Sequence, residues 1–389
     1  MKIDFDRAIN RENTNSVKFD GRQQYFGTAD VSPLWVADMD FSVPDCISHA
    51  LQERIAHPVF GYTLYPDGIY QSVIDWFQRR HQWTIEREWI VFAPGVVPSL
   101  FAAVHAFPKE GEGVIVQSPV YFPFFSAVTT NKRILLNNTL REIDGRYEID
   151  FDHLEYCAQQ RAKLILLCTP HNPVGRVWTE TELEELLRIA RRYDLVILSD
   201  DIHCDLTYSG VKHTMLSRLA QPGDKIITTI APNKTFNIPG LGLSALIIPD
   251  PELRKGMRQM FESLHASNTN PLSIAAFEAA YRHGDEWLDQ LMMYLESTRN
   301  LAVNFIREHI PKIRIHSPEA TYLLWLDCRA LGMSDAQLRD FFIRECKVGM
   351  NPGSIFGEGG SGFMRLNIGT RQALVMQALD RIREKVRVR

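Results

Sequence analysis

Apolar runs of four to seven residues recur through the first 250 positions, at 89–92, 113–117, 163–168, 195–199, 225–230 and 242–248, and Pro or Asp follows each within two residues. Runs of that length, too short for helices and stopped by turn formers, predict strands buried on both faces. Between several of them the spacing switches to a helical period. Residues 179–193 open with Thr179-Glu180-Thr181-Glu182, a cap followed by first-turn acids, and then place Leu183, Leu186, Leu187 and Ile189 along one face. Strand–helix alternation with nearly continuous apolar strands predicts an α/β fold, a large domain whose mostly parallel sheet is sandwiched by helices.

Beyond residue 250 the pattern changes. Residues 251–283 are mostly helical, 286–309 read as one long amphipathic helix, and further helices are predicted over 334–346 and 371–387. Short strands are predicted at 322–326, 348–350 and 362–366, giving a smaller α+β domain. A chain of 389 residues carries a prior of about two to three domains. The division read here is a large domain over 50–285 and a small domain formed by 1–49 together with 286–389. No fixed-period repeat or low-complexity tract interrupts either part.

Composition chiefly excludes classes. Lys and Arg total 43 against 47 Asp and Glu, a net charge of −4, so neither nucleic acid nor a membrane surface is expected as a partner. Six cysteines with no CxxC pair predict reduced thiols in a cytoplasmic protein, not a disulfide framework. The N-terminal Met1-Lys2-Ile3-Asp4-Phe5-Asp6 turns acidic at once and lacks the apolar core of a signal peptide. No apolar run approaches the roughly 18 residues that span a bilayer.

Three tempting signals are set aside. Gly357 to Gly362 matches GxGxxG, but a loop precedes it and the strand-like Phe363-Met364-Arg365-Leu366 follows, whereas nucleotide binding needs a strand before the glycines and a helix after them. Cys168, His171, His203 and Cys204 do not have the spacing of a zinc site, and no metal is expected. The basic tail, Arg381, Arg383, Lys385, Arg387 and Arg389, is read as cations complementing a helix C-terminus.

In a parallel α/β sheet, ligands gather beyond the carboxyl ends of the strands. Those ends offer, in chain order, Pro94-Gly95-Val96-Val97 leading into a helix, Tyr121, the rigid turn Pro170-His171-Asn172-Pro173, then Ser199-Asp200-Asp201-Ile202-His203, and Asn233-Lys234. Each alone is an ordinary turn or core residue. Together, at successive strand ends, they supply an anion-binding helix start, a flat aromatic, an amide, an acid and an amine.

The order P-x-N-P-x-G, S-D-x-I-H and a lysine 34 residues after the Asp (234 − 200) resembles the class I/II aminotransferase fold, fold type I of the enzymes that use pyridoxal 5'-phosphate. Trp35-Val36-Ala37-Asp38-Met39-Asp40-Phe41, Phe60-Gly61-Tyr62, Lys234 to Leu241, Ala320 to Asp327 and Arg365 to Gly369 resemble, more narrowly, its cystathionine β-lyase or cysteine-S-conjugate β-lyase branch. The resemblance implies that Lys234 binds the cofactor covalently and shuttles the Cα proton. By the same resemblance Asp200 pairs with the ring nitrogen, Tyr121 stacks on the ring, Asn172 meets the phenolic oxygen, and the amides of Val96 and Val97 hold the phosphate. His203 lies where the aminotransferases carry Tyr, as in the lyase-like branch, and counts among the cofactor residues. Tyr62 is expected to reach the phosphate of a neighbouring subunit in a homodimer. Arg365 is expected to fork the substrate α-carboxylate, with Asn172, Ala37 and Asp38 also at the substrate. Ala231, three before the lysine, lacks the hydroxyl that many relatives direct at the phosphate, a gap that Thr235, Ser99 or a neighbouring chain's Asn268 would have to fill. The implied activity is β-elimination from cystathionine or a related cysteine S-conjugate to thiol, pyruvate and ammonia. An amino-acid aminotransferase uses the same residues, and a regulatory protein that keeps the cofactor for shape alone is the third reading.

Overall fold

In the computed structural model, which describes residues 3–266 and 270–388, the six apolar runs and one further strand pair into a single sheet. Its strands are β1 Ile90–Ala93, β2 Gly113–Val116, β3 Ile134–Asn137, β4 Ala162–Cys168, β5 Val196–Asp200, β6 Ile226–Ile230 and β7 Ser244–Ile247, in the spatial order β1-β7-β6-β5-β4-β2-β3. Every residue of β5 and β6 is buried. Alternate side chains along β4 and β5 feed two different cores: Leu164, Leu166, Val196 and Leu198 one, Ile165, Leu167 and Ile197 the other. That two-sided burial is why the runs are continuous rather than alternating.

Two features depart from the sequence expectation. β7 runs antiparallel to both β1 and β6, and a run apolar on both faces reads the same in either direction. β3 was not anticipated; it is an edge strand with exposed or half-buried residues, and its apolar run, Ile134 to Leu136, is only three residues long.

The helix expected over 179–193 spans Glu180–Arg192 and carries a reciprocal capping box between Thr179 and Glu182. Its Leu183, Leu186, Leu187 and Ile189 are buried against the sheet. Residues 251–283 contain two helices, Pro251–Ser263 and Pro271–His283, each with a Pro in its first turn and a side-chain cap, from Asp250 and Asn270.

The later strands form a separate antiparallel sheet, β8 Arg314–Ile315, β9 Leu323–Asp327, β10 Asn351–Pro352 and β11 Phe363–Asn367, ordered β8-β9-β11-β10. The stretch expected as a helix over 334–346 is α-helical only over Asp335–Asp340 and widens to a π-turn over Phe341–Glu345. The strand expected at 348–350 shortens to Val348–Gly349, which pairs with Ser32–Pro33 and ties the N-terminal segment to the C-terminal part.

The glycine loop 357–362 joins a 3₁₀ turn, Gly353–Phe356, to β11, with no helix after it. A nucleotide has no helix start to bind there. In the tail, Arg381 donates to Ser32 Oγ at 2.6 Å and to the Cys346 carbonyl at 3.0 Å, and Arg383 pairs with Asp380. These cations brace the fold; Arg389 lies outside the described residues. Among the described residues no helix is long and apolar enough to cross a membrane.

Candidate active site

Strands β1, β2, β4, β5 and β6 run the same way, so their carboxyl ends share one edge of the sheet. After β1 the chain turns through Pro94-Gly95 into the helix Val96–Ala106. The amides of Val96 and Val97 lie in its first turn, where no helical carbonyl can accept them. Pro98 has no N–H, and the first amide satisfied within the helix is Ser99, to the Gly95 carbonyl at 3.2 Å. Two free donors and the positive end of an eleven-residue helix therefore point out of the sheet edge, a setting suited to phosphate.

Asp200 ends β5, buried, in register between Cys168 and Thr229. One carboxylate oxygen accepts the Ile202 amide at 3.2 Å. Burial pushes its pKa up to about 7, and the neighbouring Asp201 adds to the rise while Ile202 and Lys234 oppose it. Asp201 is different: His213 Nε2 at 2.8 Å and Ser199 Oγ at 2.5 Å occupy its oxygens. Of the two adjacent acids, only Asp200 keeps an oxygen, Oδ2, without a hydrogen-bond partner among the described residues.

Lys234 sits in the short turn Pro232–Thr235 after β6. Its Nζ donates to the Ala37 carbonyl at 2.6 Å. Burial, assisted by the Arg365 cation, brings its pKa down to about 8, with Asp38 and Asp200 pulling the other way. An amine so poised is a base near neutrality.

Arg365 comes from the middle of β11 and is buried. It donates to Asn172 Oδ1 at 3.0 Å, the Trp35 carbonyl at 3.0 Å and Asn351 Oδ1 at 2.8 Å, and its guanidinium lies over the Phe356 ring at 4.8 Å. Its Nε has no partner among the described residues. Asn172 thus meets Arg365 directly, and its carbonyl accepts the Tyr121 amide at 3.1 Å. The half-buried Tyr121 ring tilts against Phe122, centroids 4.9 Å apart. His203 is buried with Nδ1 unpartnered, edge-on to Tyr322.

Other expected residues lie differently. Ala37 contributes its carbonyl to Lys234, whereas the Asp38 carboxylate turns to Arg11 in a two-point pair at 3.0 and 2.7 Å. Tyr62 is fully exposed. Thr235 donates to Asp205 Oδ2 at 3.0 Å and Ser99 to the Gly95 carbonyl at 2.8 Å, so both hydroxyl protons are committed away from any phosphate. Asn268 lies outside the described residues.

Burial also settles the cysteine–histidine group. Cys168 is a core thiol, and His171 donates from Nε2 to the Pro119 carbonyl at 2.9 Å. Among the described residues, His81, Cys204 and Asp205 cluster within 4.8 Å. The Asp205 oxygens already accept from Trp76, His81 and Thr235, which makes this a core network behind the Lys234 turn.

Burial holds His171 and His203 neutral, at about 4 and about 3 against an ordinary 6.5. The unfolded chain takes up their protons first as pH falls, so their contribution to stability is complete above 6.5 and is lost towards 4. His171→Gln is expected to flatten the acid side of a pH series of urea unfolding by about 1.4 kcal/mol per pH unit between 6.5 and 4. An unchanged slope would mean that His171 is protonated in the folded protein.

Residues 29–382 match the family model described as aminotransferase class I and II. The chain belongs to that family. Cystathionine β-lyase PatB of Bacillus subtilis is 42% identical over 383 residues, 98% of this chain and 99% of that protein. Cystalysin from Treponema denticola, whose crystal structure contains pyridoxal 5'-phosphate, superposes with a TM-score of 0.97 at 36% identity over the whole of both chains. The PLP-bound C–S lyase from Staphylococcus hominis, complexed with L-cycloserine, gives 0.92 at 33% identity over 99% of this chain and 98% of that one.

Several residues of this family member's site went unassigned in the sequence. Asn237 and Asn367 clamp the 36–41 segment, and Tyr322 donates to the Ala37 carbonyl at 3.0 Å. All three fall within the quoted motifs, a signal that they mattered without saying how. Asn351, which braces Arg365, stands in no motif.

Proposed function

We propose that this protein is a homodimeric, PLP-dependent carbon–sulfur β-lyase acting on cystathionine or a related cysteine S-conjugate. The observation that carries the proposal is a partly buried amine, Lys234, held near neutrality between an acid, Asp200, and an unsaturated guanidinium, Arg365. The residues fit the cofactor: two free amides at a helix start, an acid whose raised pKa lets it share a proton, a lysine, and the unpartnered buried His203 Nδ1. The carbon–sulfur assignment is supported by two of those relatives, named a cystathionine β-lyase and a C–S lyase.

Bound pyridoxal phosphate supplies an electron sink for the pair left at Cα when its proton departs. Val96 and Val97 would hold the phosphate through their amides, Tyr121 would cover the ring, Asn172 would donate to the phenolic oxygen, and His203 would pack alongside. Asp200 would keep the proton on the ring nitrogen. Lys234 would hold the cofactor and, as a free amine, would take the Cα proton. Arg365 orients the substrate carboxylate, and Asn172 with the Ala37–Asp38 backbone bounds its other side. The thiolate leaves Cβ, and the aminoacrylate hydrolyses to pyruvate and ammonia. Since Lys234, once released from the cofactor, must be unprotonated to act, kcat is expected to rise with pH through about 8.

Residues 58–66 have no regular structure and expose Val59, Phe60, Tyr62 and Leu64, a patch that a second copy would cover and that supports Tyr62 reaching the partner's phosphate. The expected mass in solution is twice 44.6 kDa. We also place residues 50–285 in the cofactor domain and 1–49 with 286–389 in the small one, in a cytoplasmic enzyme with free thiols.

The deciding assay adds L-cystathionine to the holoenzyme without any keto acid and couples pyruvate to lactate dehydrogenase. Continuous pyruvate release is expected. A single stoichiometric conversion that resumes only on adding a keto acid would make the protein an aminotransferase instead.

A further inference from the structure

The 36–41 segment is a strap across the Lys234 side of the site, and five of its carbonyls are held from three directions. Asn367 Nδ2 donates to those of Val36 and Asp38, Lys234 and Tyr322 to that of Ala37, and Asn237 Nδ2 to those of Met39 and Phe41. The third direction is the N-terminal segment. Arg11 Nη1 reaches the Met39 carbonyl at 3.1 Å, and Lys18 Nζ the Asp38 carbonyl at 3.3 Å.

The same two cations balance the strap's two acids. The Arg11 guanidinium forks the Asp38 carboxylate and also meets Asp40 Oδ1 at 2.7 Å. Lys18, with a fully buried side chain, lies 3.0 Å from Asp40 Oδ1 and 3.5 Å from Asp38 Oδ1. The two carboxylates that follow the carbonyl on which Lys234 rests, Asp38 next to it and Asp40 three residues on, are thereby neutralised by residues that none of the quoted motifs contains.

We propose that Arg11 is a positioning residue for proton transfer by Lys234: its fork fixes the Asp38 carboxylate and the strap carbonyls, so that the lysine faces a neutralised acid. The proposal rests on the reading of Lys234 as the base. Asp38 on the strap and Asp200 at the end of β5 favour its ammonium form, while Arg365 on β11 favours the free amine. His203, after β5, is neutral, and the Tyr322 hydroxyl shares the Ala37 carbonyl with the lysine. Removing the Arg11 charge leaves Lys18 alone between two carboxylates, and the uncompensated negative charge draws a proton onto Lys234. A residue that merely tied down the N-terminal segment would not move that equilibrium in a charge-dependent direction.

The test reads Lys234 itself. Full-length protein stripped of cofactor is labelled with cyanate across a pH series, and the modified Lys234 peptide is quantified by mass spectrometry. Arg11→Met is expected to raise the Lys234 midpoint by roughly 0.5–1 unit, and Asp38→Asn to lower it by a similar amount. Arg11→Lys, which keeps the charge, is expected to restore the midpoint, and Arg11→Met combined with Asp38→Asn to return it close to the parent. In the holoenzyme the rising limb of kcat, which follows release of Lys234, should move in the same directions. An unchanged or lowered midpoint in Arg11→Met overturns the proposal. If that variant does not fold, a midpoint unmoved by Asp38→Asn overturns it equally. The labelling does not depend on which reaction the holoenzyme catalyses, so failure of the lyase assignment in the pyruvate assay leaves this result separately readable.

Discussion

Lys234→Ala is expected to reduce turnover of an S-conjugate by at least about 10⁴-fold, because in the proposed mechanism one side chain both retains the cofactor and moves the Cα proton. Among the described residues the side chain makes one hydrogen bond, the 2.6 Å donation to the Ala37 carbonyl, so the fold should survive its removal. That carbonyl keeps the Tyr322 hydroxyl at 3.0 Å, and the strap retains its hold through Asn237 and Asn367. Burial already works against the lysine's charge, so its loss also removes a cation that the site holds at a cost. Circular dichroism should therefore be unaltered, while the visible absorbance of lysine-bound cofactor disappears together with activity. Turnover within about a hundredfold of the parent would remove Lys234 from the proton-transfer role. Any regulatory effect that outlived the substitution would favour the non-catalytic reading.

Arg365→Lys is the second large effect, expected to lower kcat/KM by about 10²–10³-fold, mostly through KM. The guanidinium is positioned from three sides, by Asn172, Asn351 and the Trp35 carbonyl, with the Phe356 ring beneath it. A lysine ammonium offers three donors from a single point. It can satisfy the two asparagines or reach the substrate carboxylate, but it cannot fork a carboxylate while holding the same neighbours. The buried setting enlarges the penalty, since a displaced substrate carboxylate there has no water to replace the lost contact. Steady-state kinetics of both variants against one S-conjugate checks the split. A kcat/KM within about threefold of the parent would mean that the carboxylate binds elsewhere.

Much of the molecule was legible in the sequence because its physics is local. Fully buried strands must be continuous apolar runs, and the loops after them carry the polar residues, so β1, β2, β4, β5 and β6 and their rim residues Asp200, Asn172, Tyr121 and Lys234 follow from pattern alone. The Thr179 capping box and the misleading glycine loop are equally local. What needed neighbours distant in sequence was not legible. The antiparallel direction of β7 depends on its partners, and the half-exposed β3 takes its place from pairing with β2 rather than from a long apolar run.

The division of labour between Asp200 and Asp201 is tertiary too: two identical side chains are told apart only because His213 and Ser199 take one of them. Arg11 reaches Asp38 across 27 positions, and Asn351 reaches Arg365 from the adjoining strand. The amino-acid order determined which chemical groups this protein carries and which sheet edge presents them. The fold decided which of those groups stay free to act, because hydrogen bonds and desolvation from remote segments set the charge on Lys234, Asp200 and Arg365.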